Sequence, residues 1–225
     1  MSWRRMMSRG RITSMKGANL DSERQVTRSV SASQMTEPRS TIDLLRARTA
    51  EHHHGLEIGL QIQNRFSEVA TRGPLIAGYC YLYRETEAAL RPHLWDMPDL
   101  AFCSRVRCRR LPSKTELPWH EKRSVNPLFP AIGTKAEALG GLYVLEGATL
   151  GGRKILQTLR RQGVSTDDLH FLDPYGKAAG ANWRTLLRIL ERETAPSQTT
   201  MNECVLGAMK AFSFAAACLR DERKN

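Results

Sequence analysis

No stretch of this chain approaches the eighteen or so consecutive apolar residues that a membrane span needs, so no membrane association is expected. Cysteine is sparse and poorly spaced for cross-linking. Cys80, Cys103, Cys108, Cys204 and Cys218 form no C-x-x-C pair. That argues against a zinc site or a disulfide framework and makes a reducing cytoplasm the expected compartment. Strand-like alternation is almost missing: only "RVRCR" (105–109) shows it, and a lone strand has nothing to pair with. A nucleotide loop is missing too. Gly147 to Gly152 supplies its frame, but Arg153 and Lys154 stand where it needs Lys and then a hydroxyl residue for Mg²⁺.

Acidic residues are short: 23 Asp and Glu face 34 Lys and Arg, for a net charge of +11. Residues 1–34 carry seven basic residues against Asp21 and Glu23, so five of the eleven excess charges sit there. That Ser/Arg-rich segment lacks periodicity and is expected to be a disordered basic extension. It faintly resembles a transit peptide, but an over-extended start is preferred, with the folded domain spanning 35–225 from Met35. The remaining excess suits an anionic ligand or an acidic partner and does not by itself mean nucleic acid, which is not expected.

What is present is helical periodicity. Ser40 and Asp43 resemble a capping box, after which Ile42, Leu45, Thr49, His53, Leu56 and Leu60 recur at steps of three and four. His53 lies in that stripe, while His52 and His54 point to either side. Glu57 is one turn on, within reach of the same imidazole. Leu75, Tyr79, Leu82, Thr86 and Leu90 form a second stripe, Trp183, Leu186, Leu187 and Leu190 a third. Val205, Met209, Phe212, Ala216 and Leu219 form a fourth. Gly73-Pro74, Pro98, Pro127, Pro130, Gly163 and Pro174-Tyr175-Gly176 punctuate them. The chain reads as all-α.

Within it, "GGLYVLEGATLGGRK" (140–154) is also helical, with Gly140, Val144, Gly147 and Gly151 on one face. Each interior glycine costs roughly 1 kcal/mol against alanine. Two returns are open: a close helix–helix crossing, or a flat ligand lying on bare backbone. An inward histidine on one helix and a smooth face on another would together suit an iron-bearing macrocycle.

These residues resemble a known family. "LRARTAEHHHGLE" (45–57) resembles the proximal helix of heme oxygenases. "LGGLYVLEGATLGGRKI" (139–155) is similar to the distal helix of bacterial biliverdin-producing heme oxygenases, including those that supply bacteriophytochromes. "FLDPYGKAAGANWRTLL" (171–187) looks like their later segment, and residues 100–126 match poorly. The resemblance implies a single-domain, all-α heme oxygenase-like fold with heme, both cofactor and substrate, between a proximal and a distal helix. It implies oxidation by O₂ to biliverdin, CO and ferrous iron. Electrons would come from an external reductase or ferredoxin, and a bacteriophytochrome is a conceivable acceptor of the product.

By the same resemblance His53 is the axial ligand, Glu57 its hydrogen-bond acceptor, and Thr49 lines the proximal side. Arg46 and Arg184 are propionate partners, with a solvated helix face as the equal alternative. Gly147, Gly151 and Gly152 form the distal wall. Ala148 stands where animal and some bacterial relatives have a water-ordering aspartate. Glu146 lies about 160° round the helix from Ala148 and is not promoted. The basic run Arg105–Arg110 with Lys122-Arg123 is a candidate dock for an acidic electron donor, or an idle solvated patch. A heme carrier or sensor without turnover is the alternative function.

Overall fold

The structure, a computed structural model, describes residues 40–108, 111 and 128–220, without the side chains of Glu57 and Ile58. The basic extension expected over residues 1–34, and Arg109, Arg110, Lys122 and Arg123, lie outside the described residues. Among the described residues seven α-helices follow in order: α1 (Thr41–Leu60), α2 (Ile62–Ser67), α3 (Val69–Leu94), α4 (Phe102–Arg105), α5 (Lys135–Arg161), α6 (Ala179–Thr194) and α7 (Gln198–Leu219). Among the described residues there is no strand. Of the "RVRCR" alternation, Arg105 ends α4 and Val106 and Arg107 follow as coil, with both of these arginines buried and Val106 half-buried.

α1 begins where the capping pattern puts it, with Ser40 Oγ accepting the Asp43 N–H at 3.1 Å. Its first two free N–H groups, of Thr41 and Ile42, donate to the Glu191 carboxylate of α6 at 3.1 and 2.9 Å. Thr194 Oγ1 meets Thr41 Oγ1 at 2.9 Å, so the start of α1 is sewn to the end of α6. At the far end Gln61, in the left-handed region at φ 43°, breaks α1 from α2.

α3 runs through Pro74, which the sequence marks as a breaker. The lost hydrogen bond belongs to the Ala70 carbonyl, and both Ala70 and Pro74 are exposed, so that carbonyl is not stranded in the interior and the helix continues.

α5 is the central element and packs chiefly on α7, then on α3 and α6; α1 packs on α7 and α6. Thr134 Oγ1 caps its start at the Glu137 N–H (3.2 Å). Gly163 at φ 73° closes it, with the Val164 N–H returning to the Leu159 carbonyl at 3.0 Å.

The α5–α7 crossing answers part of the glycine question. A Cβ on Gly140 would lie 2.9 Å from the Ala208 nitrogen and closer still to the Cys204 carbonyl. One on Gly207 would collide with the Glu137 backbone. Gly141 is filled against by the Leu90 side chain of α3. Gly140 therefore serves backbone-to-backbone packing on α7, and Gly141 makes room for a side chain of α3.

Two carboxylates near the start of α5 are expected to contribute to acid sensitivity. Burial works to raise the Glu137 pKa, but Lys210 Nζ at 2.7 Å and the Gly133 N–H at 3.1 Å outweigh it and hold the carboxyl below its usual value. Glu193 is likewise lowered, first by its hydrogen bond from Lys135 Nζ. Carboxyls depressed in the folded state contribute stability above their unfolded pKa and lose it as pH falls through the folded one. The melting temperature is expected to drop as pH is taken from about 6 to about 3, and Lys210→Met to flatten that slope. A melting series by circular dichroism checks both.

Candidate functional site

The imidazoles of α1 do not separate as cleanly as their spacing suggests. His53 and His52 are both half-buried and each has its ring centroid 6.2 Å from that of Phe212 on α7, at 78° and 39°. His54 is exposed. Neighbours on a helix differ by about 100°, so two of three consecutive rings can flank one aromatic side chain. His52 Nδ1 is buried without a hydrogen-bond partner.

Around them, Thr49 is buried and donates its hydroxyl to the Leu45 carbonyl at 2.7 Å, one turn back along its own helix. Arg46 is half-buried, lies 3.6 Å from Asp43 and sits close enough to the Tyr143 phenol of α5 to favour its ionised form. Burial is the larger influence there and pushes that phenol up to about 12. Arg184 is exposed on α6, with its guanidinium against Gly180. Glu57 lies in α1, but its side chain is outside the described residues.

On α5, Gly147 is buried, Ala148 exposed and Gly151 half-buried. Gly152 faces the chain after α5: a Cβ would meet the Leu172 backbone, so its bareness serves that close approach. Residues 136–147 of α5 are buried without interruption, which makes exposure at Ala148 the start of an uncovered face. α1 is not among the helices that pack along α5; both lean on α7 and, more lightly, on α6.

Behind that face lies a polar cluster that the sequence reading did not assemble. Arg105, Arg107, Glu87 and Glu146 are all buried, with Arg107 only 1% exposed. Arg107 Nη2 lies 3.2 Å from Glu146 Oε1, and Arg105 Nη1 3.3 Å from Glu146 Oε2. The Tyr175 hydroxyl donates to Glu146 Oε1 at 2.7 Å. Glu87 accepts the main-chain N–H groups of Arg107 and Cys108 at 2.6 and 3.0 Å. Burial pushes the Glu87 carboxyl up, opposed by those N–H donors and the Arg107 charge.

The expected docking patch is corrected at two of its members, Arg105 and Arg107. Arg105 and Arg107 cannot meet a partner protein, because they neutralise buried carboxylates. The available signal was Glu146 itself, the one charged residue between Glu137 and Arg153 in an otherwise apolar or small stretch of helix. A lone carboxylate in that setting needs buried cations.

The cysteines divide by burial. Cys103 and Cys108 are exposed, whereas Cys80, Cys204 and Cys218 are buried, with burial pushing the Cys80 thiol up to about 11 and that of Cys204 to about 12. Brief iodoacetamide treatment of the folded protein at about pH 8 is expected to modify Cys103 and Cys108 and spare the others until denaturation. Peptide mapping reads the outcome.

Among the described residues no helix is long and apolar enough to cross a membrane, and no three His, Cys, Asp or Glu residues converge to hold a metal ion. No family model matches the chain. Over 96 residues it is 32% identical to a heme oxygenase of Xanthomonas campestris pv. campestris (strain 8004). That match takes in 42% of this chain and 57% of the relative, so the chain spans little more than half the length of the curated relative it matches.

Among solved structures it is similar to the heme oxygenase of Neisseria meningitidis studied with NO and CO bound, at a TM-score of 0.66 and 17% identity. The likeness covers 80% of this chain and 90% of that one. The chain thus has the all-helical heme oxygenase fold and is, over part of its length, similar in sequence to a heme oxygenase.

Proposed function

We propose that this chain is a heme oxygenase, cleaving heme with O₂ and externally supplied electrons to biliverdin, CO and ferrous iron. The observation that carries the reading is the pairing of half-buried imidazoles on α1 with an exposed Ala148 between buried Gly147 and half-buried Gly151 on α5, in two helices that do not pack along each other. These residues fit a porphyrin. The half-buried His53 imidazole lies edge-on to Phe212, and a single imidazole from the protein would suffice to hold a heme iron; the unpartnered Nδ1 of His52 beside it is a second candidate, which replacing each histidine in turn distinguishes.

His53 would hold the iron, with Thr49 one turn before it and Glu57 one turn after. Bound heme supplies the redox centre at which O₂ reacts and is itself the carbon skeleton that is cut. Arg46 and Arg184 would take the propionates and so fix the rotation of the macrocycle. Gly147, Ala148 and Gly151 would let backbone rather than side chain face the reacting edge, restricting where oxygen can lean. Ala148 has no proton to give, so donation at this point would fall to another group or to backbone-held water. The reductase or ferredoxin, the cytoplasmic setting and a bacteriophytochrome as acceptor of biliverdin belong to the same proposal.

Titration with hemin, then addition of a reductant in air, tests it. The expected result is a Soret band on binding, followed by its loss and growth of biliverdin absorbance with CO released. A Soret band that survives turnover conditions means a carrier. Failure to take up hemin removes the reading altogether.

A further inference from the structure

The buried cluster behind α5 does more than neutralise itself. Arg107 Nη2 donates to Thr149 Oγ1 at 2.9 Å and to the Leu145 carbonyl at 3.2 Å, while also pairing with Glu146. Those three residues are one helical turn, and Gly147 and Ala148 lie inside it. Arg107 is stacked between two phenol rings, with its guanidinium 5.5 Å from the Tyr83 centroid and 5.6 Å from that of Tyr175. Its Nη1 reaches the Arg105 carbonyl at 3.4 Å. Arg107 Nε is buried and makes no hydrogen bond. A guanidinium placed only to satisfy itself would not leave a donor unpaired in the interior, so its geometry follows the turn it grips.

We propose that Arg107 is a positioning residue for α5, a clamp on the turn Leu145–Thr149 that sets where the bare Gly147–Gly151 segment lies. The physical need comes from the glycines. With glycine at 147 and 151 and only a methyl at Ala148, helix propensity is weak along that face and few side-chain atoms are there to hold the helix in place. The hold has to come from behind. The Leu145 carbonyl is shared between the helix ladder, Arg107 and the Thr149 hydroxyl at 3.4 Å, and such added donors let a helix bend at that point. Glu146 couples the clamp to Arg105 and Tyr175, and through the Arg105 Nη2 bond to the Asn182 carbonyl (3.3 Å) to α6. A two-plus, two-minus buried cluster is a weak source of stability but a strong source of fixed geometry. The consequence for catalysis rests on the heme oxygenase reading; the clamp itself does not.

Hydrogen exchange on the ligand-free full chain comes first, comparing wild type with Arg107→Met and with Thr149→Val. Thr149→Val removes one acceptor without changing volume and keeps the test open should Arg107→Met fail to fold. Exchange across residues 145–152 is expected to accelerate on the order of tenfold in both, with α7 unchanged. Unchanged protection over 145–152 overturns the proposal.

The second arm loads each variant with hemin. Affinity within about twofold of wild type and turnover down at least about tenfold is expected, because the clamp acts on the oxygen side and not on His53. Affinity and turnover falling together overturns it in favour of a generally structural role. Should wild type refuse hemin, the functional reading fails while the exchange arm still decides the clamp.

Discussion

Replacing His53 by alanine is expected to abolish axial ligation of heme iron and, with it, bile-pigment formation. Removing groups that merely orient a metal ligand costs about 10–100-fold in metal affinity, so losing the ligand itself should cost more. Contacts from the propionates and the apolar macrocycle would leave residual, spectrally altered hemin binding. The structure makes the companion variant informative, because His52 shares Phe212 with His53 and carries an unpartnered buried nitrogen. His52→Ala is expected to keep the wild-type ferric spectrum and turnover. Reversal of the two results would move the ligand one residue back along α1, out of register with Thr49 and Glu57. A hemin titration of both variants by absorbance decides it.

Gly140→Ala is expected to be strongly destabilising. The new Cβ would overlap the Cys204 carbonyl and crowd the Ala208 nitrogen, both backbone atoms of α7 that no rotamer change can move aside. Relief requires the two longest-packed helices to separate. Overpacking costs typically 1–3 kcal/mol where side chains can yield, so about 3 kcal/mol or more is expected here, a fall in melting temperature of roughly 6–12 °C for a domain of this size. Gly133→Ala, at a glycine with nothing near its missing Cβ, is the control and should barely move it. Thermal melts of the pair separate backbone collision from a generic effect of glycine replacement.

Of the two glycine explanations left open by spacing, close packing accounts for three of the five glycines in α5. Gly140 serves the crossing with α7, Gly141 receives Leu90, and Gly152 admits the Leu172 backbone. That leaves Gly147 and Gly151 as the members of the series assigned to a ligand face in the proposed function. One-dimensional periodicity cannot draw this line, since a glycine facing another helix and one facing a ligand have the same spacing. The arginines of "RVRCR" illustrate the opposite failure. Charge in a sequence is read as solvent-facing by default, and here two guanidinium groups are drawn inside by Glu87 and Glu146, 20 and 41 or fewer positions away along the chain.

From sequence alone came the all-α class, the start of α1 at Ser40, the stripes that became α1, α3, α6 and α7, and the glycine-rich α5. These are local properties: periodicity, capping chemistry and backbone propensity act between residues a turn apart. Only the tertiary structure decided which glycines meet backbone, that two histidines share Phe212, and that Arg105 and Arg107 are interior groups gripping the turn at Glu146. Those facts depend on which segments far apart in the chain come within a few ångströms, and both burial of charge and collision of backbones are settled at that range.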